Sequence, residues 1–178
     1  RNQYQTTYHI LVADNEMALA KNSQLIDNHL FIDHAVPHCT SQELYKYVLD
    51  DAAIGVFGGR ILVRKDAQKT SAYQSNKNLC STREAKMFAK PHLEIYADDV
   101  KCSHGTATGQ IDETALFYMR ARGISEQEAR LLLKFAFTSD VLENIRLEPL
   151  KDRMRMLVEK HFRGELAKCA GCSAGNCS

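Results

Sequence analysis

The chain has 178 residues, 44% apolar and 25% charged, with 23 basic against 22 acidic side chains and a formal net charge of +1. That length suits one domain, or one domain with an appendage, and the charge balance argues against the basic excess of a nucleic-acid or membrane-surface protein. No apolar run approaches the roughly 18 residues of a membrane span. The opening Arg1-Asn2-Gln3-Tyr4 carries neither an initiator Met nor a basic-then-apolar leader, which reads as a processed product or a fragment. Six cysteines, Cys39, Cys80, Cys102, Cys169, Cys172 and Cys177, are too scattered for a small disulfide scaffold, so reduced thiols in a cytoplasmic protein are expected.

Residues 1–111 read as β. Short apolar and β-branched stretches recur at Tyr8–Val12, His29–Ile32, Leu44–Leu49, Gly55–Val63 and His92–Tyr96, each broken by polar turn residues. No long amphipathic helix separates them, which disfavours a doubly wound α/β fold. Asn-Gly and Asp-Gly hairpin dipeptides are missing, which weakens the hairpin-rich sandwiches and barrels. The polar run Ser71–Asn78 resembles the stretches that stack in parallel β-helices, but no repeat period is evident. Gly58-Gly59 signals a turn or a close approach of backbones.

Two candidate sites lie in this half. His34-Ala-Val-Pro-His38-Cys39 brings two imidazoles and a thiol together, but adjacent strand residues face opposite sides, so a rung turn with polar contacts is the favoured reading. In Cys102-Ser103-His104, residues two apart on an extended strand share a face. A thiol beside an imidazole suits zinc, ferrous iron or an iron–sulfur cluster, or a nucleophilic Cys with a His partner. Two ligands do not close a metal site, and spacing alone favours a buried Cys and a hydrogen-bonded His. Asp98-Asp99 reads as a solvated turn.

Residues 112–166 read as helix. Asp112 caps a helix over Glu113–Arg122 that stops at Gly123. Ser125 with Glu128 is a capping box. The helix it opens is apolar around much of its circumference (Ala129, Leu131, Leu132, Leu133, Phe135, Phe137), which predicts burial by more than one neighbour. Thr138-Ser139-Asp140 is a candidate break or kink. Beyond Pro149 a last helix carries the stripe Leu150, Met154, Leu157, Val158, His161 and Phe162. Residues 167–178 read as a flexible tail, in which Cys169, Cys172 and Cys177 form an oxidisable cluster or a metal site lacking a fourth ligand. Phosphate-binding loops, dinucleotide fingerprints, zinc-protease motifs and nucleophile elbows are all missing, which lowers the prior for an enzyme.

Read together, several stretches resemble one family. They are Lys90–Gly105, continuing through Gln110–Glu113 into Ala115–Ile124, with Pro37–Ser41, Gly55–Arg60, Gln68–Thr70 and Gln74–Leu79 upstream. This string is similar to the SufB/SufD family of Suf-type iron–sulfur cluster assembly proteins, over roughly residues 29–166. Lys101-Cys102-Ser103-His104-Gly105 is closer to the SufD branch than to SufB. The resemblance implies a right-handed parallel β-helix followed by a C-terminal α-helical subdomain, with N-terminal rungs missing. It implies a scaffold without catalysis of its own, pairing with SufB and binding the SufC ATPase through the helices. It further implies a transient cluster or iron handled at the SufB–SufD interface by Cys102 and His104. An isolated chain could use the same edge against its own copy as a homodimer. Cys80 stands where the family more often has an aliphatic residue and is given no role. A polysaccharide-cleaving β-helix is disfavoured by 8% aromatics and no Trp. A metal module built on the C-terminal Cys tail is the alternative.

Overall fold

A computed structural model describes residues 4–7 and 11–165, with side chains from residue 12 onward. The chain divides into two compact units, Arg1–Asp112 and Glu113–Ser178.

The described residues of the first unit form nine strands: β1 (Tyr4–Thr7), β2 (Leu11–Ala20), β3 (Leu25–His34), β4 (Thr40–Leu49), β5 (Ile54–Val63), β6 (Ser71–Cys80), β7 (Lys86–Ala89), β8 (His92–Ile95) and β9 (Lys101–Gly109). Odd and even strands fall into two sheets up to β7. One runs β1-β3-β5-β7, with β8 also on β5, and the other runs β2-β4-β6-β9. Every pairing is parallel. The unit is therefore a parallel β-helix, in which the chain alternates between two facing sheets and climbs one rung per circuit. In the second sheet Thr40 lies opposite Leu11, Ser71 opposite Thr40 and Lys101 opposite Ser71, steps of 29, 31 and 30 residues.

The predicted apolar stretches at 29–32, 44–49 and 55–63 fall inside β3, β4 and β5, and the polar Ser71–Asn78 run is most of β6. Alternation then sorts side chains between solvent and lumen. Tyr45, Tyr47 and Leu49 of β4 face Phe57 of β5, all essentially inaccessible. The Tyr45 and Phe57 rings are 4.8 Å apart between centroids, and Tyr47 meets Phe57 edge-on at 6.2 Å. Beyond Phe57 the lumen continues through Ile61, Val63, Ala67, Ala72 and Ala97.

Gly58-Gly59 lies within β5 rather than at a turn, because both residues give way to a neighbour. A Cβ at Gly58 would come within 2.5 Å of His29 Nδ1, and one at Gly59 within 2.6 Å of the Gln74 amide nitrogen. The corners stack as well. Among the described residues, four that are not glycine take positive φ: Asn22 (57°), His38 (61°), Asp51 (53°) and Lys69 (60°). Continuing the strand register places Asn22 beside Asp51 and His38 beside Lys69, so each pair marks one corner on successive rungs. Asn22 N–H donates to Asp51 Oδ2 at 2.9 Å, and His38 N–H to Gln68 O at 2.9 Å. Arg64 grips the buried Asp33 carboxylate with two nitrogens, at 2.6 and 2.9 Å.

The described residues of the second unit form three helices: α1 (Glu113–Ala121), α2 (Glu126–Glu143) and α3 (Glu148–Phe162). Gly123 (φ 89°) follows α1. Ser125 caps α2, its hydroxyl accepting from Glu128 N at 3.3 Å. The Glu128 carboxylate, however, pairs with Arg163 rather than closing the box. The expected break at Thr138–Asp140 does not occur. Thr138 and Ser139 hydroxyls turn back onto the Phe135 and Ala136 carbonyls (2.8 and 2.7 Å), so the helix continues through them. Pro149 sits in the first turn of α3, where its missing N–H costs nothing. The all-round burial expected of α2 is also corrected. Leu132 is 40% exposed, and deep burial is confined to Ala129, Thr138, Val141 and Leu142.

Phe57→Ala is expected to destabilise the first unit by about 3–5 kcal/mol, since it empties the space shared with Tyr45 and Tyr47. Denaturant unfolding of the variant checks this, and a loss below about 1 kcal/mol would contradict a lumen packed around that ring.

Candidate functional site

β9 is the last strand of its sheet, bonded to β6 on one side, with no further strand beyond it among the described residues. All of its residues except Cys102 are exposed. Its lumenal face is identified by two contacts. Thr106 Oγ1 donates to Asn76 Oδ1 at 3.0 Å, and Thr108 Oγ1 accepts from Asn78 Nδ2 at 3.2 Å. Strand alternation then puts Cys102 and His104 on that same face. Their Cα atoms are about 6.6 Å apart at ordinary strand rise.

Cys102 is half-buried against the cluster of Ile61, Val63, Ala67, Ala72 and Ala97. Burial pushes its thiol pKa up, a backbone hydrogen bond at Ala72 only partly opposing this. A thiol held neutral is a poor free nucleophile and needs a cation or metal to ionise it. His104, two residues on, is exposed. Together they form a two-donor pair on the last described strand of this sheet. Among the described residues, no group of three or more His, Cys, Asp and Glu side chains is disposed to hold a metal.

The other predicted residues are kept apart. His34 is buried, with Nε2 3.0 Å from Ser41 Oγ, and burial lowers its pKa. His38 is exposed at a corner, while Cys39 is buried and its Sγ donates to Val36 O at 3.1 Å. Asp98 and Asp99 are exposed in a bend. Cys80 packs in the lumen core, its thiol pKa raised by burial. Cys169, Cys172 and Cys177 lie outside the described residues.

A polar column that the sequence reading did not single out lies beneath the site. Asp14 is in register with Glu43, Glu43 with Gln74, and Gln74 with His104. Glu43 and Gln74 are 2% and 4% exposed. Gln74 Nε2 donates to Glu43 Oε2 at 2.7 Å, and the Tyr45 hydroxyl donates to Asp14 Oδ2 at 2.8 Å. On the next column Asn76 Oδ1 also accepts from Asn78 Nδ2 at 2.7 Å. On the side of the facing sheet, Asn28 Nδ2 reaches both Glu16 Oε1 (2.8 Å) and the Tyr47 hydroxyl (2.7 Å). Burial pushes the Glu43 carboxyl up to about 7, the Gln74 hydrogen bond pulling the other way and the Asp14 charge adding to the rise. Burial raises Glu16 too, with Asp14 again contributing. The available signal was the spacing. Asp14, Glu43, Gln74 and His104 are polar residues at intervals of about one rung.

Comparison with known proteins bears on this arrangement. Residues 6–137 match the family described as "SUF system FeS cluster assembly, SufBD core domain". The iron–sulfur cluster assembly protein SufD of Escherichia coli K12 is 37% identical over 150 residues, covering 84% of this chain and 36% of that protein. An iron–sulfur cluster assembly SufBD family protein of Synechocystis is 39% identical over 142 residues, 80% of this chain and 31% of its own length. The chloroplastic protein ABCI7 of Arabidopsis thaliana is 37% identical over 162 residues, 90% of this chain and 31% of its own length. The chain thus spans about a third of the length of these relatives. It belongs to the SufBD family.

The Glu43 shift sets a pH dependence. Its folded pKa, about 7, lies above the ordinary value of 4.5, so the folded state holds the proton more tightly. The associated stability is complete below about pH 4.5 and is lost as pH rises through 7, by up to about 3 kcal/mol. Glu43→Gln is expected to remove that slope, making the variant more stable than the parent at pH 8 but not at pH 4. Denaturant unfolding at the two pH values measures the difference, and parallel losses in both proteins would contradict it.

Proposed function

We propose that this SufBD-family chain is a scaffold subunit for iron–sulfur cluster assembly, performing no catalysis itself and handling the nascent cluster as cargo at an interface with a second chain. The observation that carries this reading is the placement of Cys102 and His104 on the lumenal face of the outermost strand, β9. Two donors leave a metal or cluster under-coordinated, so the remaining ligands come from the chain that covers the edge. An exposed strand with unpaired N–H and C=O groups is a template for pairing. SufB is the partner in the heterodimer, and a second copy of this chain can use the same edge in its absence.

The neutral thiol of Cys102 fits transient handling. It binds metal when a cation drives off its proton and regains the proton on release. The helical unit is the SufC-binding part. Phe117, Leu132 and Leu147 on it are 73%, 40% and 67% exposed, an apolar surface suited to a partner. Nucleotide-driven closure of two SufC subunits would then move the helical units and open or strain the β9 interface. We assign the protein to the cytoplasm. In support, Cys39, Cys80 and Cys102 are free thiols, as a reducing compartment favours. No described helix is long and apolar enough to cross a membrane.

Replacing both Cys102 and His104 with Ala is expected to lower cluster formation in the full SufB–SufC–SufD-type complex at least tenfold, followed by visible absorbance of the cluster. The single variants should fall between. Unchanged cluster formation in the double variant, with the complex intact by size-exclusion chromatography, would overturn the assignment.

A further inference from the structure

We propose that Gln74 is a positioning residue for His104, its side-chain carbonyl accepting the imidazole N–H and so fixing which ring nitrogen faces the partner. The contact is not made in this structure, where Gln74 Oε1 has no partner among the described residues and His104 is exposed; we infer that it forms when a partner covers the edge, and its purpose rests on the assembly-site reading above.

Four observations converge. Gln74 on β6 and His104 on β9 are register partners. Neighbouring strands lie about 4.8 Å apart, so the two side chains are adjacent on the lumenal face. The Gln74 amide is oriented, because its Nε2 donates to Glu43 Oε2 on the rung below at 2.7 Å. Above pH 7, where Glu43 is ionised and can only accept, it takes the nitrogen end and leaves the oxygen end for another donor. That oxygen, Oε1, is buried and has no hydrogen-bond partner among the described residues. Finally, the opposite sheet makes room for the amide. A Cβ at Gly59 would stand 2.6 Å from Nε2 and 2.7 Å from Oε1.

A buried carbonyl oxygen without a donor is costly, and an imidazole that carries one N–H sits next to it in register. Once that N–H is engaged, the other ring nitrogen holds its lone pair outward, as a metal ligand requires. Second-shell acceptors of this kind set tautomer and ring orientation at metal-binding histidines. The competing donor is a lumenal water shared with Asn76 Nδ2, which is also unpartnered and buried. Glu43 holds the amide in place, which gives the buried acid at the centre of the column a role.

The test labels the histidines of this chain with nitrogen-15 and reads the His104 ring shifts at pH 8 in the complex with its partner. In the parent, one neutral tautomer should predominate. Gln74→Leu and Gln74→Met should both move the shifts towards the mixed tautomers of a free imidazole. Two variants are used because the unbranched methionine preserves the lumen volume if leucine does not fold. Glu43→Gln keeps an acceptor for the amide and should retain the parent signature, whereas Glu43→Leu should lose it. Cluster formation should fall about 10- to 100-fold in Gln74→Met. Unchanged ring shifts in folded Gln74→Met would overturn the proposal and leave water as the partner of Oε1. If His104→Ala leaves assembly intact while Gln74→Met still shifts the ring, the assembly-site reading fails and the Gln74 contact stands.

Discussion

The in-register parallel pairing of β2, β4, β6 and β9 is the constraint from which the rest of the first unit follows. In-register parallel ladders place inward positions over inward positions along the stacking direction, so each becomes a column running through the sheet. The inward set Tyr45, Tyr47 and Leu49 of β4 and the polar column through Glu43 are therefore products of one backbone register. A slip of a single residue would turn both outward. The stacked corners hold that register, since the left-handed residues Asn22 and Asp51 on one side, and His38 and Lys69 on the other, recur at matched places.

Burying a carboxyl, an amide and two asparagines along the lumenal face is tolerated because the same strand or the adjacent rungs supply partners. Glu43 receives Gln74, Asn76 receives Asn78 and Thr106, and the Tyr45 hydroxyl reaches Asp14. The satisfaction is incomplete. Oxygen atoms of Glu43, Gln74 and Asn78 and the Asn76 nitrogen have no described partner. Three of these four atoms lie on β6, the strand to which β9 pairs.

Much of the strand content was legible because β3, β4 and β5 carry dense apolar or β-branched runs. The period was not, because a rung repeats backbone geometry and not residue type. Asp14, Glu43, Gln74 and His104 share a column yet share no chemistry beyond polarity. The Cys102–His104 pair was visible from alternation alone, whereas Glu43 and Gln74 became neighbours only once a 31-residue step was known. In the helices, Ser125 announced itself as a cap. Thr138 and Ser139 misled because their hydroxyls can satisfy the helix's own carbonyls as readily as they can end it.

The open side of β9 also bears on how such a chain fares in a cell. A strand of nine residues, nearly all exposed and ending its sheet, adheres to any other strand edge it meets. If a partner covers that edge, as proposed above, synthesis in excess of it would leave the edge uncovered and expose the chain to self-association or to proteolytic clearance. The amount of soluble protein would then follow the supply of partner more closely than the strength of its own gene's expression, and subunit stoichiometry would be enforced by the strand itself.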